Sequence, residues 1–254
     1  MTGPVVVKAP DRQGQKGLTL VEDPAGLAVA VATARNAARS GVALVEELVD
    51  GPEVTVVGFS IDGVFTALTV TDRITAELPA FGVALAHVWP SHVQGQSPDV
   101  AEAAVAALGI ENGPSYTQLR IGPDGPQVSE VAARLGGGHD SELVQAVTGV
   151  DLNGLALDAA LGNELVLTQH KPLVGGAVTR FLVAPPGVLE SVDVPEGLEA
   201  RIYREPGYVF TPLRRGSDRA GAVFVTADSR DEAVAQAESA AAAITFHVGV
   251  LAPI

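Results

Sequence analysis

The sequence reads as an α+β protein with antiparallel strand pairing. Two tight turns carry that reading. Asp62-Gly63 lies between Glu53–Phe59 and Val64–Thr71, and Pro123-Asp124-Gly125 lies between Tyr116–Ile121 and Val128–Arg134. Both are turn chemistry flanked by strand-forming residues, which joins neighbouring antiparallel strands. A third observation concerns the C-terminal third. Val178–Val183, Gly207–Phe210 and Gly221–Thr226 read as strands among Gly-, Pro- and Arg-bearing loops, and an Ala-rich helix closes them.

The chain has 254 residues, enough for one large domain or two modest ones. With 47% hydrophobic residues a core is easily filled. Alanine supplies much of that share, so the positive mean hydropathy does not signal a membrane protein. No run of about 18 apolar residues occurs, and the N-terminus lacks a basic flank before an apolar stretch. A cytoplasmic protein without membrane contact is expected. The absence of cysteine excludes disulfides, thiol nucleophiles and cysteine–metal sites. A net charge of −14 argues against nucleic acid, whose phosphates need a basic face. A small anion remains compatible, because Lys8, Arg12 and Lys16 are concentrated near the start.

Taken in order, Pro4–Lys8 reads as a β-branched strand ending in a lysine. Asp11–Gly17 is a polar loop with Gly14 and Gly17, and Leu18–Val21 returns as a strand. Such a hairpin tip can fold over phosphates, since glycines bare the backbone N–H groups and lysines add charge. It also fits an ordinary solvated loop. Asp23 and Pro24 are an N-cap and first-turn pair for a helix running to about Ser40, with Gly41 after it. Val42–Val49 is a strand ending in Glu46-Glu47-Leu48-Val49, and Asp50-Gly51-Pro52 turns into the strand opening with Glu53. Three acids around one turn suit solvated surface or a ribose-binding carboxylate. Residues 72–96 read as loop-rich, and their His87 and His92 show no metal-ligand spacing. Ser97–Gly109, Asp140–Val147 and Leu152–Leu161 read as helices, and Ser229–Glu232 is an S-x-x-E capping box before the last one.

The segment Gln127–Asp151 concentrates chemistry. Glu130, Ala132 and Arg134 recur at strand spacing, so all three face one way. The triple glycine Gly136–Gly138 then breaks the strand and allows close backbone approach. The carboxylate and guanidinium suit a phosphate, or else a surface ion pair. Counting back from the Pro123–Gly125 turn, Gln118 and Glu130 can oppose each other across the strand pair.

Together these pieces resemble the ATP-grasp superfamily, in its carboxylate–amine ligase branch with a biotin-carboxylase-like C-terminal region. PVVVKAPDRQGQKGLTLV is similar to the phosphate-binding lysine strand and glycine loop. VEELVDGPEVTV is similar to the adenine hinge and ribose carboxylate, and EVAARLGGGHDSELVQAVTGVDL to the metal-binding strand and its following helix. The order and spacing of all three make the match specific, though each motif alone is weak.

The resemblance implies ATP and Mg²⁺ as cofactors and a small carboxylate as substrate. Lys8 is expected at the α- and β-phosphates, with Gly14 and Gly17 letting the loop close. Glu46 is expected to accept from the adenine amino group, the backbone of Glu47 and Val49 to read the adenine edge, and Glu53 to hold the ribose hydroxyls. Glu130 is expected to hold Mg²⁺ beside Gln118, and Arg134 to steady the acyl phosphate. Two positions depart from the pattern: Gln118 stands for a carboxylate, and Ala132 for a metal-ligating Asn.

The sequence also starts at the lysine strand, without the further domain and first part of the small lobe that such enzymes normally carry. The expected architecture is an incomplete ATP-grasp small lobe over residues 1–47 and a large antiparallel lobe over 48–254. The uncovered face of the Val5–Val7 strand is expected to seek a partner chain or a second copy. A nucleotide-binding fragment without chemistry of its own is the competing expectation, and a generic oligomeric α/β protein a residual one.

Overall fold

The computed structural model describes residues 3–168 and 171–250. Met1, and Gln169 where the sequence changes texture, lie outside them. The protein is α+β, with one large antiparallel sheet and few helices.

The first unit is a three-stranded antiparallel sheet of β1 (Val5–Lys8), β2 (Thr19–Val21) and β3 (Leu44–Glu47), with β1 central. Its register pairs Val6 with Glu46 and Val5 with Glu47. Asp23 caps the next helix as expected, accepting from the Ala25 N–H, and a single 3₁₀ turn over Pro24–Gly26 leads into α1 (Leu27–Ala37). That helix stops at Ala37 rather than Ser40. The Asp11 carboxylate accepts from the Arg39 and Ser40 N–H groups at 3.0 and 2.6 Å, which draws the following segment onto the loop. Ala30 and Ala34 of α1 pack on Val5, Val7 and Val21. The expectation of an uncovered Val5–Val7 face is therefore wrong: Val5 is 6% exposed and Val7 0%. The exposed apolar residues of this sheet are Leu44 and Val45 on the edge strand β3.

The chain continues through β4 (Glu53–Ile61), β5 (Val64–Thr75), β6 (Ala84–Trp89), α2 (Ser97–Ala107), β7 (Gly113–Gly122) and β8 (Gly125–Ala132). Then follow α3 (Asp140–Thr148), α4 (Leu152–Leu161), β9 (Gly176–Leu182), β10 (Gly187–Asp193), β11 (Ala200–Ile202), β12 (Val209–Phe210), β13 (Gly221–Ala227), α5 (Arg230–Ala243) and β14 (Thr245–Gly249). Eight strands form one antiparallel sheet in the order β11-β13-β9-β6-β5-β4-β7-β8. β12, β10 and β14 form a third, small sheet. The Asp62-Gly63 turn is a tight hairpin, with φ of 49° and 80° at its two residues.

The loop-rich reading of residues 72–96 is corrected: β5 runs on to Thr75, and β6 lies in mid-sheet. Helices cover both faces. α2 packs on Val54, Val56, Val70 and Leu119, and α5 on Ala86, Val88 and Val178. Asp72 binds α5 from the same side, taking the Arg230 guanidinium, the Ser91 hydroxyl and the His92 N–H. On the opposite face α3 and α4 pack over Val57, Phe59, Tyr116 and Ala177.

His87 is likewise corrected from an ordinary loop residue. It lies on β6, 1% exposed, with Nδ1 2.8 Å from Asp140 Oδ1 at the start of α3. The other Asp140 oxygen accepts from the Gly138 N–H at 3.0 Å. This carboxylate explains the triple glycine. A Cβ at Gly136 would stand 2.2 Å from Asp140 Oδ2, and one at Gly138 would stand 2.8 Å from the His87 ring. Burial pushes the Asp140 carboxyl up, but the His87 ring, the Gly138 N–H and the charge of Arg73 outweigh it and hold the group below its ordinary range.

A carboxyl depressed on folding contributes stability above its unfolded value, and that contribution is lost as pH falls through the folded one. We expect Asp140→Asn to lower stability at neutral pH by about 1–3 kcal/mol. The gap to wild type should narrow as pH falls below the ordinary carboxyl value of 3.8 toward the lower value of the folded carboxyl. Urea midpoints across that range check it, and a gap constant with pH would contradict it.

Candidate functional site

Between the three-stranded sheet and the β4-β7-β8 end of the large sheet lies a cavity of about 630 Å³. Most of the expected site residues meet there. Lys8 and Gly14 line it from β1 and its loop, Glu46, Glu47 and Val49 from the end of β3, and Glu53, Gln118 and Glu130 from the large sheet. Gly17 and Arg134 do not line it. Gly17 instead packs against α1: a Cβ there would lie 2.7 Å from that of Ala37, and its φ is +76°. Arg134 stands behind Glu130, with Nη2 3.7 Å from its carboxylate, the guanidinium over the Tyr116 ring, and Nη1 donating to the Leu135 carbonyl.

Strand register builds the floor. Glu53 is paired with Arg73 on one neighbouring strand and with Arg120 on the other, so all three side chains share a face. Each arginine donates to a different Glu53 oxygen. Arg73 also holds the Gly82 carbonyl, and Arg120 holds that of Val49. The guanidinium of Arg120 lies 5.3 Å from the Phe81 ring centre, inside the cavity wall. The turn into β4 is equally constrained, since a Cβ at Gly51 (φ +151°) would stand 2.0 Å from the Ile121 carbonyl oxygen.

Lys8 crosses the cavity. Its ammonium pairs with Glu46 at 2.5 Å, the direct consequence of adjacent strands, and donates to the Ser129 carbonyl at 2.6 Å. Ser129 precedes Glu130, so the lysine charge and that carboxylate face the same space. Arg12 also lines the cavity, and among the described residues its buried Nε has no hydrogen-bond partner.

For a divalent ion the protein supplies little. Gln118 and Glu130 are register partners across β7 and β8, as the turn count predicts. The Gln118 amide donates to the Tyr116 hydroxyl at 3.2 Å. Among the described residues no cluster of three or more His, Asp or Glu could hold a metal. One carboxylate and one amide fit a Mg²⁺ that takes most of its ligands from phosphates and water, and not an ion caged by protein.

Sequence reasoning did not single out Arg73, Arg120 or Phe81. Arg120 was within reach, being two residues from Gln118 on one strand face; Arg73 sat in the stretch read as loop. A second polar group follows the triple glycine. His139, at φ 61°, contacts the Tyr203 hydroxyl at 2.5 Å through Nε2 and accepts from Arg201 at 2.8 Å through Nδ1. Arg201 also pairs with Glu142, whose carboxyl burial pushes up and the Arg201 hydrogen bond brings below its ordinary range. Non-local pairing of α3 with β11 makes this cluster, and no spacing in the sequence announces it.

Residues 180–249 match the family model of L-amino acid ligase C-terminal domain 2. Over 98% of its length the structure superposes on the crystal structure of an L-amino acid ligase from Bacillus licheniformis, with a TM-score of 0.76, 24% identity and 64% of that chain covered. The chain has the ATP-grasp fold.

The biotin carboxylase from Campylobacter jejuni, solved as a β,γ-ATP complex, superposes with a TM-score of 0.72 at 19% identity, over 96% of this chain and 58% of that one. A protein of Sinorhizobium fredii, described only as uncharacterized protein y4rH, is 30% identical over 91% of this chain and 50% of its own length. The chain thus spans about half the length of that curated relative and under two thirds of the solved ones. Among the described residues no helix is long and apolar enough to cross a membrane.

The floor of the cavity is a buried charge triad, and removing one member strands the others. Glu53→Gln should cost about 3–5 kcal/mol, because two largely buried guanidinium groups lose their counter-ion. Chemical unfolding checks this; a change within about 0.5 kcal/mol, the range of an exposed substitution, would contradict it.

Proposed function

We propose that this chain is the ATP-binding part of a carboxylate–amine or carboxylate–thiol ligase that works through an acyl phosphate. The observation that carries the reading is the approach of Lys8 to Ser129. It brings a lysine from the small sheet to the strand bearing Glu130, with the end of β3 and Phe81 also lining the cavity. Residues 1–47 are read as the small lobe and 48–254 as the large one.

In this reading the adenine lies at the hinge, where Glu46 accepts from its amino group and the backbone at Glu47 and Val49 meets its edge. Glu53 serves the ribose end and, through Arg73 and Arg120, fixes the floor. Lys8 meets the α- and β-phosphates, and the Gly14–Gly17 turn covers them. Glu130 and Gln118 are the residues that would hold a Mg²⁺, which would supply positive charge to offset that developing on the phosphoryl oxygens. A substrate carboxylate oxygen attacks the γ-phosphorus, and ADP leaves with the bridging electron pair. An amine or thiol then attacks the acyl carbon and gives up its proton, and phosphate departs. Arg134 is suited to steady the acyl phosphate, being held toward Glu130 by Tyr116 and the Leu135 carbonyl. Use of ATP is consistent with cytoplasmic work, and a partner chain or second copy is compatible with relatives of greater length.

A second reading is favoured by Gln118 and Ala132. With one carboxylate in the metal site, the chain binds nucleotide but leaves chemistry to a partner or performs none. Calorimetric titration with Mg²⁺ and a non-hydrolysable ATP analogue tests both. Lys8→Ala should weaken nucleotide binding about tenfold or more, as expected for losing a charged hydrogen bond. Gln118→Glu should strengthen Mg²⁺ binding, because a carboxylate is the better ligand for a hard cation. Equal binding by wild type and Lys8→Ala would remove the phosphate role. Unchanged Mg²⁺ affinity in Gln118→Glu would remove the pairing of Gln118 with Glu130 at one ion.

A further inference from the structure

The glycine loop does not hang free in this structure. Its tip meets a loop some 200 residues further along the chain: the Gln15 side-chain carbonyl accepts from the Gly216 N–H at 3.2 Å. Gln15 lines the cavity and has a φ of 60°, uncommon for a residue with a side chain. Glycines on either side, Gly14 at φ 70° and Gly17 at φ 76°, make the turn, but Gln15 itself is not a glycine. A side chain kept in a left-handed turn needs something to hold it there.

The receiving loop is firmly built. The Arg214 and Arg215 N–H groups both donate to Asp218 Oδ2 at 3.0 Å. Arg219 donates from Nε to the Gly216 carbonyl at 2.8 Å and lies with its guanidinium 3.6 Å from the Phe181 ring centre. Arg204 donates to the Ser217 carbonyl at 2.6 Å. The Gly216 N–H is thus presented from a fixed platform on the large lobe toward a turn on the small sheet.

We infer that Gln15 is a positioning residue that latches the glycine turn onto the Arg214–Arg219 loop, closing the cavity and keeping water from the acyl phosphate. This rests on the ligase reading for its purpose, though the latch itself does not. Water attacking the acyl carbon in place of the amine would return the acid and phosphate, so a loose turn spends ATP without a product. The contact needs an acceptor oxygen at a set reach, whether or not that oxygen carries charge. Gln15→Glu keeps both the reach and an acceptor oxygen; Gln15→Asn keeps an amide and tolerates the positive φ but is one methylene too short.

Limited trypsin digestion of the full chain reads the latch directly, because Lys16 is exposed in the same turn. Cleavage of a transiently open turn follows its open population. Cleavage after Lys16 should be about three- to tenfold faster in Gln15→Asn, the factor for one neutral hydrogen bond, and unchanged in Gln15→Glu. Adding Mg²⁺ and a non-hydrolysable ATP analogue should slow cleavage in all three proteins. Faster cleavage in Gln15→Asn with no effect of the nucleotide would support the latch and count against the ATP reading. Equal cleavage of wild type and Gln15→Asn would overturn the latch, whatever the nucleotide does. Equal acceleration in Gln15→Asn and Gln15→Glu would overturn it as well, because the acceptor would then be irrelevant.

Discussion

Glu53 and its two arginines are the constraint on which the site depends. Burying one carboxylate between two guanidinium groups is costly unless the geometry is set in advance, because desolvation competes with the Coulombic gain. Here the sheet sets it. β5 and β7 flank β4 and place Arg73 and Arg120 opposite Glu53, so no loop has to find the pairing. The triad then reaches outward. Arg73 ties down the chain at Gly82, and Arg120 ties it down at Val49, so one buried carboxylate orders two separate walls of the cavity.

The same row of the sheet continues beyond Arg73. His87 is its register partner on β6, and Thr179 is the partner of His87 on β9. Asp140 closes the row from above by taking the His87 ring and the Gly138 N–H. The triple glycine is therefore less a flexible hinge than a place where a carboxylate has taken the room of side chains. That fixes where α3 starts, and with it His139 and its contact with Arg201. The polar row is a structural spine with the cavity at one end and the α3–β11 cluster at the other.

Much of this was legible in the sequence, and the gaps have physical causes. The β7–β8 hairpin and the Gln118–Glu130 pairing followed from the turn and the period of two, because local turn chemistry sets register. The strand ending in Lys8, its return strand and the strand ending at Glu47 followed from their β-branched and apolar runs. β6 was missed because Ala84–Trp89 is covered by helices on both faces. Such a strand shows no alternation, and Ala and His weaken its β signal. The end of β5 was missed because Thr-Asp-Arg looks like loop. Its charges are buried only by partners far along the chain, Arg230 for Asp72 and Glu53 for Arg73. Val5 and Val7 were expected to be bare because residues 1–47 read as only part of a lobe, with nothing assigned to cover the strand. Ala30 and Ala34 cover it by letting the helix backbone come close.

Charge completes the argument. The chain carries −14 overall, a poor prospect for any polyanionic ligand. Yet Lys8, Arg12, Lys16, Arg73 and Arg120 all line one cavity. Screening limits surface charges to a range of about 8–10 Å in ordinary salt. A ligand inside the cavity therefore responds to its lining and little to the acidic surface elsewhere. Within the lining the cations are not equivalent. Arg73 and Arg120 are spent on Glu53, and Lys8 is shared between Glu46 and a backbone carbonyl. Among the described residues the buried Nε of Arg12 has no hydrogen-bond partner. The positive charge is thus divided between a part that holds the floor and a part carried by β1 and its loop. The net charge describes how the protein meets solvent, and the register of a few strands decides what its cavity can hold.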